Sequence, residues 1–143
     1  MEDLKAAPQP IFWYSAASLI PLLVPPLTFM VFGYSRFLSS AELYYAAALC
    51  SFAGGVKWGY NLHDKDHTWE DYGWAVVPQV FSWISILLPN ALGYMVIIPA
   101  LIISAYVDLT MVKFPSWYRA IRFTVTLFAL IGLTLAFLIS VFN

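Results

Sequence analysis

Five long apolar runs constrain this chain more than any other feature of its sequence. They cover residues 11–33, 41–62, 72–88, 91–111 and 123–142. A helix needs about 20 mostly apolar residues to cross the hydrocarbon core of a bilayer. Charged residues make up only 10% of the sequence, against about 25% in a soluble domain. The sequence therefore predicts an all-α membrane protein, with residues 1–143 forming a single transmembrane domain of about five helices.

Prolines fall inside the first and the third predicted spans. Pro21, Pro25 and Pro26 lie in the first span, and Pro78 lies in the third. A proline inside a helix removes a backbone hydrogen bond and bends or breaks the helix. We therefore expect transmembrane helices 1 and 3 to be kinked, with a break as the alternative in helix 1.

Basic residues collect on one side of the predicted membrane. Five crossings put the termini on opposite sides, and Arg36 is then the one basic residue on the C-terminal side. Positive charge stays in the cytoplasm or matrix, so the N-terminus is predicted inside and the C-terminus outside.

The acidic start resembles neither a signal peptide nor a transit peptide. A bacterial inner (cytoplasmic) membrane is predicted, or an organellar inner membrane.

A stripe of small side chains follows the second predicted helix. Ala47, Ser51, Gly55 and Gly59 recur every four residues, which places them on one helical face. Small residues let helix backbones approach closely in a membrane. The stripe is interpreted as helix packing within the chain, with dimerisation or docking on another subunit as the alternative.

Ionisable residues near the inner ends of the spans are the main site candidates, because a charge inside a bilayer is costly. Lys57 belongs to the second span and Asp108 to the fourth, while Arg119 and Arg122 precede the fifth. We expect these four residues to form a polar cluster at the inner face. The cluster is interpreted as a structural ion pair. Snorkelling of Lys57 to the headgroups and a site for an anionic headgroup or quinone-like ring are the alternatives.

Three aromatic residues flank this cluster in the sequence, namely Trp58, Trp117 and Tyr118. Aromatic side chains are enriched where a membrane meets water, so an interfacial belt explains them. They are also candidates for contacts with a flat hydrophobic ligand or with a partner subunit.

Other kinds of chemistry find little support in the sequence. His63 and His67 have the spacing of metal ligands on a helix, but a solvated polar loop fits the residues around them better, and no metal is predicted. No catalytic motif is present. The net charge of −1 gives no basic stripe for nucleic acid.

Three stretches carry a resemblance to a known family. They are Ser51 to Gly59 (SFAGGVKWG), Val77 to Trp83 (VPQVFSW), and Asp108 followed by Pro115 to Arg122 (PSWYRAIR). In order and spacing the chain resembles a small uncharacterised family of multi-helix inner-membrane proteins that includes human transmembrane protein 69. The resemblance implies a bacterial or mitochondrial inner membrane and no particular reaction. It also marks Lys57, Trp58, Asp108, Trp117, Tyr118, Arg119 and Arg122.

Two functions are compatible with these features. The first is a non-catalytic accessory or assembly subunit that docks on other membrane-protein subunits, in a larger electron-transfer or photosynthetic complex of an inner membrane. The alternative is a binding or transport protein for a lipid, a quinone or a similar hydrophobic ligand. A bound lipid or quinone belongs to the second hypothesis, and no other cofactor is predicted.

Overall fold

The computed structural model describes residues 2–63 and 68–143, and this part of the chain is entirely helical. The described helices are α1 (Glu2–Ala6), α2 (Gln9–Ala17), α3 (Ile20–Phe32), α4 (Arg36–Asn61), α5 (Trp69–Leu87), α6 (Asn90–Thr110) and α7 (Ser116–Val141). The predicted all-α class is therefore confirmed for the described residues.

Among the described residues, three helical stretches are long and apolar enough to cross a membrane, by length and composition. They are Gln9–Phe32, which contains α2 and α3, Asn90–Thr110 and Ser116–Val141. Helices α4 and α5 have 26 and 19 residues, which is enough length, but both also carry ionisable side chains. That these two helices cross the membrane remains a prediction.

The first predicted span is divided into two helices. Helix α2 ends at Ala17, and α3 begins at Ile20 with Pro21 in its first turn, where a proline costs no hydrogen bond. Pro25 and Pro26 lie inside α3, and Pro78 lies inside α5. A bend of the helix axis at these inner prolines remains a prediction.

Helices α3 to α7 form a ring in which each helix contacts its neighbours. Helix α4 packs against α3 and α5, α6 packs against α5 and α7, α3 packs against α7, and α4 also contacts α6. The starts of α4 and α6 meet where Ser40 Oγ lies 3.0 Å from Asn90 Nδ2. Lys57 and Asp108 meet near the ends of the same two helices, so α4 and α6 run parallel.

The bundle has an apolar exterior and an interior rich in small and polar residues. Large apolar side chains such as Phe32, Phe37 and Val31 are 74–85% exposed. The buried polar residues are Ser39, Glu42, Lys57, Asn61, Ser82, Ser85, Ser104, Asp108, Arg122 and Thr126. This distribution suits a bilayer, because lipid solvates the apolar exterior and polar groups are costly unless they face one another.

Glycines permit the closest helix contacts in the ring. A Cβ atom at Gly54 of α4 would collide with the carbonyl oxygen of Ala75 in α5. A Cβ at Gly93 would lie 2.6 Å from the carbonyl oxygen of Ser85, and one at Gly132 would lie 2.5 Å from that of Leu22. Real Cβ atoms do not approach this closely, so these three positions fix the helix spacing.

Helix α4 begins earlier than the sequence indicates. Ser35 caps it by accepting a hydrogen bond from the backbone N–H of Leu38, at 3.4 Å, as N-cap serines do. The second apolar run, residues 41–62, therefore starts more than one turn inside this helix. As a result Glu42 lies inside the helix, where it is only 1% exposed.

Candidate functional site

Three charged side chains from three helices meet inside the bundle, and we call Lys57, Asp108 and Arg122 the ion triad. Lys57 Nζ of α4 lies 2.9 Å from Asp108 Oδ1 of α6. Arg122 Nε of α7 donates a hydrogen bond of 2.8 Å to Asp108 Oδ2. Each residue is at most 7% exposed. The triad therefore links the three helices through one carboxylate.

Arg122 is hydrogen-bonded through all three of its side-chain nitrogens. Besides the bond to Asp108, Nη1 donates to Thr126 Oγ1 and Nη2 donates to Ser104 Oγ, both at 3.2 Å. A guanidinium group has a planar set of donors that suits such a fixed arrangement. Thr126 and Ser104 are themselves buried, so α6 and α7 are joined by a buried polar contact.

Lys57 points into the protein and does not extend to the headgroups. Its side chain is fully buried, and Nζ also lies 3.5 Å from the carbonyl oxygen of Trp74 in α5. Its contact with Asp108 Oδ1 lacks good hydrogen-bond angles and is best described as an ion pair. The snorkelling alternative is therefore wrong for Lys57, since the amino group faces a buried carboxylate.

The triad carries an excess of positive charge. Lys57 and Arg122 each bring one positive charge, and Asp108 supplies a single negative charge between them. An unbalanced charge in a low-dielectric interior attracts anionic or electron-rich groups strongly. Binding beside Arg122 is therefore favourable for a polar group that presents oxygen atoms to the guanidinium.

Arg119 does not join the triad. Its side chain is exposed on α7. Three of the four residues predicted to form the polar cluster therefore meet in the structure, and Arg119 is the one that does not. Arg119 and Arg122 lie three residues apart, so their directions differ by about 60° around the helix axis. That rotation is enough to put Arg122 inside the bundle and Arg119 on its surface.

The predicted aromatic residues lie close to the triad along the chain, and each of them packs on a neighbouring ring. Trp58 is 44% exposed and packs edge to face on Tyr72, with ring centroids 4.8 Å apart. Trp117 and Tyr118 are half-buried, and Tyr118 stacks on Phe114 at 4.6 Å. These rings form small aromatic pairs at the ends of α4 and α7.

A cavity of about 640 Å³ opens between α2, α4 and α7, and we call it the α2–α4–α7 cavity. Apolar side chains such as Leu49, Phe52 and Val125 form most of its wall. Tyr118 and Arg122 bring polar groups, so the cavity reaches the ion triad. Ser15 and Ser18 add hydroxyl groups from the break between α2 and α3. Its size lies within the range of about 300–1,000 Å³ typical of small-molecule sites.

The small-residue stripe is only partly used for packing within the chain. Ala47 is buried and Ser51 is half-buried, but a Cβ at Gly55 or Gly59 would meet nothing within 4 Å. The interpretation as packing within the chain is therefore wrong for these two glycines. The neighbouring Gly54 makes the close contact instead, since it lies on the face that Lys57 shares.

A second polar cluster lies at the other end of α4 and was missed in the sequence. The hydroxyl of Tyr94 lies 3.3 Å from Glu42 Oε2 and 3.0 Å from Ser39 Oγ. Glu42 is the second residue of the apolar run 41–62, and it would lie in the first turn of a helix that began with that run, whereas α4 begins five residues earlier. Ser35 directly precedes the first residue of α4, and serine is a common N-cap residue. It was the sequence signal that could have indicated the earlier start.

The predicted metal spacing cannot be followed into the structure. His67 and residues 64–66 lie outside the described residues. Among the described residues, no group of three or more His, Cys, Asp or Glu side chains is arranged to hold a metal ion. The absence of a metal site as a property of the whole chain remains a prediction.

An apolar exterior around buried, mutually paired charges defines a multi-helix membrane protein. Residues 7–138 match the family described as "Protein of unknown function (DUF3429)", and the chain belongs to this family. Transmembrane protein 69 of Xenopus tropicalis is 31% identical over 140 residues, which are 93% of this chain and 55% of that protein. Transmembrane protein 69 of Mus musculus is 29% identical over 144 residues, covering 96% and 59%.

These findings confirm the family resemblance that the three sequence motifs indicated. The chain spans less than two thirds of the length of either relative. No solved structure matches it. The relatives support a membrane location, and neither of their names states a ligand, a partner or a reaction.

Proposed function

We propose that this membrane protein holds a hydrophobic ligand, a lipid or a quinone-like molecule, in the α2–α4–α7 cavity and catalyses no reaction on it. The observation that carries the proposal is the contact between this apolar cavity and the unbalanced positive charge of the ion triad. The apolar wall suits an acyl or isoprenoid chain. The Arg122 end suits a headgroup with phosphate or carbonyl oxygens.

Arg122 acts on such a ligand mainly through its charge. Its three nitrogens already donate to Asp108, Thr126 and Ser104, so the guanidinium is held rigidly at the cavity. Tyr118 lines the same end and brings a phenolic hydroxyl. Rigid polar groups in an apolar site fix the orientation of a ligand. We expect the headgroup at Tyr118 and Arg122, and the tail along Leu49 and Phe52.

Filling the cavity should displace the ligand. Ala48 lines the cavity from an exposed position on α4, so Ala48→Trp places an indole there without crowding the buried core. After purification from the native membrane in mild detergent, mass spectrometry should find one stoichiometric lipid or quinone on the wild type. The Ala48→Trp variant should retain several-fold less of it.

The matched control is Ala41→Trp, an exposed position two turns earlier on α4 and outside the cavity lining. It should retain as much ligand as the wild type. A wild-type protein that carries no stoichiometric hydrophobic molecule would contradict the proposal. Equal retention by Ala48→Trp and Ala41→Trp would contradict the assigned cavity.

The second candidate function is a non-catalytic accessory subunit of a larger inner-membrane complex, of the electron-transfer or photosynthetic kind. Gly55 and Gly59 support it, because they leave an uncovered small-residue face on α4 on which another membrane helix can pack closely. The same purification distinguishes the two functions. Stoichiometric membrane subunits, lost on Gly55→Leu, would favour the accessory role, whereas a ligand with no protein partner favours the cavity.

The proposed topology has five crossings, by α2 with α3 and then by α4, α5, α6 and α7. Its N-terminus lies inside a bacterial or organellar inner membrane. The bias of basic residues supports this orientation.

Lys5 and Asn143 are exposed at opposite ends of the chain. In a background with Cys50→Ala, a membrane-impermeant maleimide should label Asn143→Cys from outside and Lys5→Cys only after permeabilisation. Labelling of both from the same side would contradict an odd number of crossings.

A further inference from the structure

Glu42 is the buried acid that the ion triad does not use. It lies in α4, fifteen residues before Lys57, which is about 22 Å along the helix axis. Its side chain is 1% exposed. Oε2 lies 3.3 Å from the hydroxyl of Tyr94 in α6, and Oε1 has no hydrogen-bond partner among the described residues. Its surroundings therefore differ sharply from those of Asp108, which contacts two cations.

Within the described part of the chain, no cation neutralises Glu42. The ionisable groups around it are Tyr94 on α6 and, beyond Tyr94, Tyr34 in the connection between α3 and α4. Arg36 is the nearest basic residue along α4, but it is exposed and lies six residues away, about 9 Å along the axis. An unpaired carboxylate in this position would be far more costly than a neutral acid.

The hydrogen bonds of Tyr94 indicate where a proton lies. The Tyr94 oxygen is 3.3 Å from Glu42 Oε2, 3.2 Å from the carbonyl oxygen of Ser39 and 3.0 Å from Ser39 Oγ. A phenol has one hydrogen to donate. If Glu42 were ionised, Tyr94 would have two competing acceptors and could satisfy only one of them.

A proton on Glu42 removes this conflict. The acid then donates from Oε2 to the Tyr94 oxygen, which also accepts from Ser39 Oγ and donates its own hydrogen to the Ser39 carbonyl oxygen. The donor and acceptor capacity of the phenol is then complete. We propose that Glu42 is a proton-binding site, in which the protonated acid, Tyr94 and Ser39 form one hydrogen-bonded chain between α4 and α6.

This site is independent of the ligand proposed for the α2–α4–α7 cavity, because neither Glu42 nor Tyr94 lines that cavity. Its ligand is the proton itself. Loss of the proton would place a charge in the α4–α6 contact and force Tyr94 to turn its hydrogen from Ser39 to Glu42. The occupancy of the site is thereby coupled to the contact between the two helices.

Infrared spectroscopy tests the proposal on the intact protein. A protonated carboxylic acid has a C=O stretch that is separate from carboxylate and amide bands and shifts in D₂O. We expect the wild type at neutral pH to show this band and Glu42→Gln to lack it, with an unchanged melting temperature. Glu70→Gln is the contrasting variant, because Glu70 is exposed, and it should keep the acid band while losing carboxylate absorption.

A second measurement needs no variant. Glutamate labelled with ¹³C at the side-chain carboxyl should shift the acid band of the wild type. Glu2 and Glu70, the other two glutamates, are exposed and contribute carboxylate bands. An unshifted acid band, or the absence of any acid band in the folded wild type, would overturn the proposal. Loss of a carboxylate band in Glu42→Gln would do the same.

Discussion

Replacing Asp108 by alanine is expected to lower the free energy of unfolding by about 3–5 kcal/mol, because it leaves two buried cations without an anion. Lys57 and Arg122 both contact the Asp108 carboxylate and are at most 7% exposed. Unfolding in detergent, followed by tryptophan fluorescence, measures the change. Arg119→Ala is the control, since Arg119 is exposed on the same helix as Arg122 and should change stability by less than about 0.5 kcal/mol.

The triad also predicts an asymmetry between its members. Lys57→Met removes one of two positive charges and leaves the hydrogen-bonded pair of Asp108 and Arg122 balanced. It should therefore cost much less than Asp108→Ala. Adding Lys57→Met to Asp108→Ala should recover part of the lost stability, because one uncompensated cation then remains instead of two. Equal costs for the two single variants would contradict an excess charge in the triad.

Replacing Gly54 by leucine should cost at least about 1–3 kcal/mol, because the new side chain must force α4 away from α5. The first atom of that side chain would already collide with the carbonyl oxygen of Ala75. The matched variant is Gly55→Leu, one residue later in the same helix, where a Cβ meets nothing within 4 Å. Helix propensity improves similarly in both variants, so it cancels in the comparison.

The same unfolding assay on the purified protein measures this difference. Gly55→Leu should be close to the wild type in stability, even if it abolishes docking on a partner. If the two leucine variants lost equal stability, the tight contact between α4 and α5 would be contradicted. Gly54→Ala provides an intermediate step, because its single methyl group tests the collision alone.

The ion triad could be anticipated in large part from the sequence. Lys57 and Asp108 lie near the ends of the second and fourth apolar runs, and helices two apart in an antiparallel series end on the same side. The cost of unpaired charge then brings them together. The choice between Arg119 and Arg122 could not be made, because it depends on the rotation of α7 about its axis.

The glycines and the cavity show where sequence patterns become insufficient. A four-residue repeat pointed to Gly55 and Gly59, but the close contact is made at Gly54. A four-residue repeat shows which residues share one face of the helix. Only the tertiary packing decides whether that face contacts a neighbouring helix. Glu42 was misjudged for a local reason, since the cap at Ser35 moves it from the first turn into the interior. The cavity depends on the spacing of three helices, which no local pattern specifies.

The positions of the triad along the chain have a consequence for biogenesis. Lys57 is synthesised 51 residues before Asp108, and Arg122 follows after another 14. A lysine near the centre of a helix costs about 2.5–3.5 kcal/mol on insertion scales, and less near an end. Until α6 emerges from the ribosome, the Asp108 carboxylate that pairs with Lys57 in the structure is missing. In the proposed five-crossing topology, stable insertion of α4 should therefore be delayed until the translocon has released α6, and truncation before Asp108 should leave α4 prone to slip back and be degraded.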